Sequence, residues 1–186
     1  MPKFLLPPET LGNLLSYDEC TGGLFWRERQ LCLFNATFGR SQEHSCAQWN
    51  ARHAGAEAFI SKDTHGYKNG KIFGKTYLAH RVIIAITSGQ WPDFDVDHIN
   101  GDRSDNRIEN LRCATRRQNS FNRKVRRESS SGVKGVSRAQ TGKKWVARIQ
   151  ASGERLQIGR FGCITAAMIA YELASRDLHG IFGRRA

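Results

Sequence analysis

The stretch from Arg123 to Gly132 is first basic and then serine-rich, reading Arg-Lys-Val-Arg-Arg-Glu-Ser-Ser-Ser-Gly. A run this polar offers no face to bury, so it reads as a linker that divides the 186 residues between two folding units. Domains of roughly 50 to 150 residues are common, so both sides are long enough for a small core of their own. The organisation expected is residues 1–125 for an N-terminal region and a first domain, with its core at 93–125, then a linker at 126–131 and a second domain at 132–186.

Charge separates along the same line. From Leu111 to Ala186 there are 17 Lys and Arg against 4 Asp and Glu, whereas residues 1–110 hold 12 against 13. All of the surplus behind the net charge of +12 and the pI near 10.0 therefore lies in the C-terminal part. An imbalance this one-sided points to a polyanionic partner, since phosphate contacts need clustered Lys and Arg. A mean hydropathy of −0.53 and the absence of an apolar run near membrane length exclude a membrane span, the longest such run being Val82 to Ile86. Met1 to Pro8 holds one lysine and no cleavage-site pattern, so no secretory signal is expected and the protein is expected in the cytoplasm. The five cysteines, Cys20, Cys32, Cys46, Cys113 and Cys163, include no CxxC pair and read as reduced, mostly buried small hydrophobes. Cys32, His44 and Cys46 could supply three zinc ligands, but their spacing fits no closed structural site.

Element signals are clear in places. Thr21-Gly22-Gly23 separates two aromatic and apolar segments within 17–26, as in a hairpin, and glycines 66, 70 and 74 suggest another over Phe59 to Tyr77. Val82, Ile83 and Ile86 fit one face of a helix over Leu78 to Gly89, ended by Gly89 and Pro92. Residues 30–58 carry no confident element. Val96 to Asp102 reads as a strand entering a polar loop, Asn106 to Cys113 as a loop with a second strand, and Thr115-Arg-Arg-Gln118 as a capping box opening a helix with Asn119 and Asn122 in its first two turns. Two strands backed by a helix make a ββα unit. Past the linker, strand-like runs around Val136, Lys144 to Gln150 and Leu156 to Phe161 precede a helical stripe of Ile164, Ala167, Tyr171, Ala174 and Leu178. The class expected is α+β.

Asp97-His98 places an oxygen ligand for a hard cation beside an imidazole that titrates near neutral pH. Such a pair alone is usually structural. Here it continues through Asn100-Gly101-Asp102 and Asp105-Asn106-Arg107-Ile108-Glu109-Asn110-Leu111-Arg112 to Asn119, with Asn110 13 positions and Asn119 22 positions after Asp97. The pattern resembles the HNH endonucleases, in the branch found in phages and introns and among homing endonucleases. The resemblance implies a ββα-metal core in which Asp97 and Asn119 bind one divalent cation, His98 is the general base and Asn110 orients His98. It implies stabilisation of the scissile phosphate and the leaving 3′ oxygen by the bound cation, with His98 taking a proton from water on the opposite side. Asn119 stands where many members have a second histidine, and oxygen donors favour Mg²⁺ or Mn²⁺ over Zn²⁺. His80 sits where a histidine is also common in that family, with a packing role as open as a direct one. His44, His53, His65 and His179 read as surface or satisfied core residues.

The second domain carries Ser131-Gly-Val-Lys134-Gly-Val-Ser137, Lys144-Trp145-Val-Ala-Arg148-Ile, Leu156-Gln-Ile-Gly-Arg160-Phe and the ending His179-Gly-Ile-Phe182. It resembles the AP2 DNA-binding domain, a small three-stranded sheet plus one helix. The resemblance implies that the sheet enters the major groove, with Lys134, Arg138, Lys144, Arg148 and Arg160 as candidate contacts and Trp145 either stacked at the sugar-phosphate edge or plugging the core. Ile164 and Thr165 depart from the acidic residues usual at the start of the AP2 helix, which touches sequence preference and not fold.

The function expected is metal-dependent cleavage of duplex DNA, nicking or double-stranded, by a homing-type or phage-associated protein in a bacterial host. Its partner would be double-stranded DNA, with no membrane and no small-molecule cofactor, the protein being a monomer or dimer. The rival from another class is a noncatalytic AP2-type DNA-binding regulator, against which the complete Asp97, His98, Asn110 and Asn119 set counts. An RNA-directed protein fits less well, because an AP2-like sheet suits a B-form major groove, and equal competition by duplex RNA would favour it.

Overall fold

The computed structural model describes residues 5–36, 39–125 and 128–183. Contacts group the chain into two units, Met1–Cys113 and Ala114–Ala186. The expected linker at 126–131 has two positions, 126 and 127, outside the described residues, as do positions 1–4 of the N-terminal segment and 184–186 of the second domain.

The first unit opens with α1 (Pro8–Leu14), which the sequence reading did not foresee. Proline suits the first turn of a helix, where the missing N–H costs nothing, and Leu11 and Leu14 face inward. The hairpin follows as β1 (Leu15–Asp18) and β2 (Gly23–Trp26), antiparallel with Asp18 opposite Gly23. Residues 30–58 hold α2 (Gln42–His53), capped by the Ser41 side chain, and β3 (Glu57–Ala58). No residue of α2 is buried. Then come β4 (Ser61–Lys62), β5 (Lys68–Ile72) and β6 (Lys75–Leu78), a sheet in chain order, and α3 (Ala79–Ser88), which ends at left-handed Gly89 as expected. Last are β7 (Asp95–His98) and β8 (Leu111–Ala114), paired in a two-stranded sheet. One core joins these elements, including Leu11, Leu14, Leu24, Ile72, Ile83 and Val96. Full burial of such side chains contributes about 1.5–3 kcal/mol each.

The second unit begins with α4 (Arg116–Phe121), capped by the expected box between Thr115 and Gln118. Asn122 is the C-cap residue of this short helix. The sheet consists of β9 (Val136–Arg138), β10 (Trp145–Ala151) and β11 (Glu154–Phe161), antiparallel in the order β11-β10-β9 with a bulge between Ala147 and Arg148. The long helix is α5 (Ile164–His179). Ala147, Ile149, Ala167 and Tyr171 form the core, with Trp145, Phe161, Ile164 and Ala174 packed on it. The expected stripe holds except at its end, where Leu178 is 49% exposed and Ser175 and His179 are buried instead. His179 gains its place through hydrogen bonds, its Nε2 reaching the Gln150 carbonyl at 2.8 Å and its Nδ1 facing Ser175 Oγ at 3.4 Å. The cysteines correct another expectation: all five are free, but Cys20, Cys32, Cys113 and Cys163 are exposed and Cys46 is half-buried.

Candidate active site

β7 delivers Asp97 and His98 side by side, and both are buried, at 6% and 3% exposure. Asp97 does not stand alone. Arg112, on the paired strand β8, donates from Nε at 3.0 Å and from Nη2 at 2.7 Å to Asp97 Oδ2. Removing a carboxylate from water is costly unless a cation accompanies it, so this ion pair is what allows Asp97 to be buried. Arg112 closes the quoted Asp105–Arg112 run, but nothing in the sequence assigns it this partner.

His98 meets Asn106, its Nε2 lying 3.0 Å from Asn106 Oδ1. An amide oxygen can only accept, so this bond puts the ring proton on Nε2 and leaves the lone pair on Nδ1. Burial lowers the imidazole below its usual range, against the opposing effect of the Asn106 bond and of Asp97, and favours the neutral form able to accept a proton. His80, from α3, packs its ring edge-on against His98 at 5.2 Å, and Tyr67 lies 5.0 Å from His80 and 5.7 Å from His98. Among the described residues His80 Nδ1 has no hydrogen-bond partner, and burial pushes this ring down to about 3.

Asn106 is 1% exposed and is fixed from behind. The Tyr17 hydroxyl donates to the Asn106 carbonyl at 3.2 Å and accepts from Ile108 N at 2.8 Å. Gly22, at φ +72°, lies so close that an added Cβ would fall 2.7 Å from the Asn106 carbonyl carbon and 2.6 Å from Arg107 N. The hairpin turn thus abuts the segment that carries Asn106. Asn110, expected to orient His98, is engaged with the loop: its amide group donates to Asn100 Oδ1 at 3.1 Å and to the Asp105 carbonyl at 2.8 Å, and its Oδ1 accepts from Asn100 N at 2.9 Å. Its backbone carbonyl accepts from Ile99 N at 2.9 Å. The structure therefore brings Asp97, His98 and Asn110 into one strand-and-loop region and adds Asn106 and Arg112. A double asparagine signal was present in the sequence, but spacing alone does not say which amide reaches the imidazole.

Asn119, the fourth expected site residue, stands on α4 in the second unit, its backbone N–H bonded to Thr115 O at 2.9 Å. Among the described residues no three His, Cys, Asp or Glu side chains gather as a metal site, and that includes Cys32, His44 and Cys46.

In the second unit, register sorts the expected DNA contacts. Val146 pairs with Ser137 and Arg160, whereas Trp145 pairs with Arg138 and Phe161. Trp145 and Phe161 pack on the core under α5, so Arg138 belongs to the helix side, its guanidinium 4.9 Å over the Trp145 ring, and not to the open face as expected. Arg148 donates to Ser137 Oγ at 3.2 Å and Arg160 is exposed, both on the other side. Lys144 is exposed just before β10, and Lys134 Nζ donates to the carbonyls of Phe121 and Arg123.

Residues 77–121 match the family described as HNH endonuclease, a segment running from β6 through α4. The chain is also similar to Protein 3.8 of Escherichia phage T7, at 29% identity over 118 residues covering 63% of this chain and 97% of that protein. A protein of Acanthamoeba polyphaga mimivirus, named an uncharacterized HNH endonuclease, is 33% identical over 118 residues, again 63% of this chain but 60% of the relative, under two thirds of its length. No solved structure matches. The chain carries an HNH endonuclease domain with viral relatives. Among the described residues no helix is long and apolar enough to cross a membrane.

Proposed function

We propose that the protein is a metal-dependent DNA endonuclease in which His98 is the general base. The observation that carries this reading is the His98–Asn106 hydrogen bond, which makes Nδ1 the basic nitrogen of a buried ring that directly follows Asp97 in the matched HNH segment. Nδ1 of His98 takes a proton from water, the resulting hydroxide attacks the phosphorus, and the bond to the 3′ oxygen breaks. A positioned base of this kind contributes about 10²- to 10⁴-fold in rate. Asp97 and Asn119 would hold the divalent cation that HNH nucleases generally use. Their donor set is all oxygen, which fits a hard ion, Mg²⁺ or Mn²⁺ before Zn²⁺. When bound, the cation supplies positive charge for the phosphate and the leaving oxygen. Arg112 pairs with Asp97 and aligns it, and Asn110 holds the 100–105 loop beside the base.

Residues 132–186 are read as an AP2-like DNA-binding domain that holds the duplex, a proposal supported by the strand order, the helix packed on one face and the surplus of positive charge. One base and one cation cut one strand, so a monomer nicks. Viral relatives favour a phage-associated or homing role.

Asp97→Asn tests the cation claim more cleanly than alanine, because the asparagine amide oxygen can still accept a hydrogen bond from Arg112 while the carboxylate charge is gone. The variant should remain folded with a lowered melting temperature, bind DNA, and lose Mg²⁺-dependent cleavage by at least ~100-fold, beyond the usual effect of an outer-shell change. Full cleavage by a folded Asp97→Asn protein would remove Asp97 from the cation site.

A further inference from the structure

The second unit contains a cavity of about 600 Å³ formed where α4, the segment before β9, the β10–β11 turn and α5 meet. Its charged lining is Arg117, Lys134, Arg148 and Arg155, with no Asp or Glu among the lining residues. Lys134 and Arg148 are engaged with neighbouring oxygens, and Arg117 and Arg155 add two exposed guanidinium groups, a local excess of positive charge that attracts an anion. The other wall is aromatic, from Phe121, Tyr171 and His179.

That wall is rigid. Phe121 and His179 stack with centroids 3.7 Å apart and planes 8° from parallel, and His179 is held at both ring nitrogens by Gln150 O and Ser175 Oγ. Lys134 ties the end of α4 to this place by donating to the Phe121 and Arg123 carbonyls. Arg148 is braced by Ser137, while Arg117 and Arg155 are exposed at the rim. Gly135, at φ +69°, leaves no room for a side chain, since a Cβ there would collide with the Tyr171 ring.

Guanidinium groups match a phosphate with paired N–H donors, a base would extend the existing Phe121–His179 stack, and Ser120 Oγ and Gln150 Oε1 serve as acceptors for a base edge, since Ser120 Oγ donates to Arg117 O and Gln150 Nε2 to Gly153 O. The volume falls within the roughly 300–1,000 Å³ of small-ligand sites. We propose that this cavity binds one nucleotide unit, a deoxynucleoside 5′-monophosphate, free or as an unpaired residue of a DNA strand. The proposal stands apart from the cutting reaction and from any groove contact made by the open sheet face.

The test is calorimetric titration of the full chain in EDTA with deoxyadenosine 5′-monophosphate, inorganic phosphate and deoxyadenosine. One nucleotide should bind per chain, at least about fivefold more tightly than either fragment, because base stacking and phosphate contacts act together. Arg155→Ala and Arg117→Ala should each weaken it severalfold. Lys143→Ala, which removes the same charge outside the cavity, should leave it unchanged. Competition by a single-stranded 5′-phosphorylated oligonucleotide but not by blunt duplex assigns the site to an unpaired strand residue, and lack of competition by either assigns it to free nucleotide. Binding no tighter than that of phosphate, or equal weakening by Lys143→Ala, would overturn the proposal in favour of diffuse positive charge.

Discussion

The proposed base role requires His98 in one tautomer, and its neighbour sets which. Asn106 accepts from Nε2, and its own Nδ2 is buried without a partner, so this amide has been committed to one bond at some cost. Asn106→Ala should therefore lower kcat by about 10- to 100-fold, as loss of an orienting partner commonly does, while leaving DNA affinity unchanged in a gel-shift assay. An equal loss in Asn110→Ala with none in Asn106→Ala would give the orienting role back to Asn110. Choosing between the two amides was beyond the sequence because both lie in the same Asn-rich segment, and only the folded backbone sets which side chain meets the ring. His80 makes a separate prediction. Its folded value, about 3, lies below its ordinary 6.5, so its contribution to stability is complete above 6.5 and is lost as pH falls toward 3. The slope in that window is ~1.4 kcal/mol per pH unit. Asp105, held at about 2, acts only below the ordinary carboxylate value of 3.8, so thermal melts between pH 7 and 5 isolate the histidines. His98, also lowered by burial, adds in the same direction. His80→Leu should flatten the melting curve against pH over this range, and an unchanged slope would mean that His80 is charged in the folded protein.

Among the elements, the β1–β2 hairpin matters because its turn abuts the segment that carries Asn106, the partner of His98. Gly22→Ala places a Cβ against the Asn106 and Arg107 backbone, so that loop must move. Gly89→Ala is the matched control, having the same φ of +72° but open space around it. Both substitutions carry the left-handed penalty of about 1–2 kcal/mol. Only Gly22→Ala should also reduce cleavage by the remaining folded protein, and equal activities in single-turnover assays would contradict the buttress. This hairpin was legible in the sequence from Thr21-Gly22-Gly23, as α3 was from Val82, Ile83 and Ile86 with its glycine stop, and α4 from its capping box. The helix α2 was not, because it buries none of its residues and so carries no apolar stripe to read. The end of α5 misled for a related reason: Leu178 fits the stripe by spacing, but hydrogen bonds to His179 draw that residue inward instead. Cysteine exposure was likewise illegible, since a thiol tolerates either environment.

In the proposed reaction the whole molecule divides its labour between a near-neutral N-terminal part that bears the base and a strongly basic C-terminal part that supplies affinity for the polyanion. The charge split was plain in the sequence, and so was the HNH pattern, because its residues lie within one short segment. The arrangement of partners around each site residue was not, because Tyr17, Gly22 and Arg112 come from other strands and turns. Affinity and cleavage should therefore separate on mutation of the base. The direct measurement is relaxation of supercoiled plasmid by the full chain and by His98→Ala, each with Mg²⁺, Mn²⁺ or EDTA, with plasmid binding measured in parallel. Cation-dependent nicking by the wild type and none by an equally well-bound His98→Ala protein is the predicted result. Undiminished nicking by His98→Ala, or binding without cleavage by both proteins on a DNA that carries the target site, would contradict it.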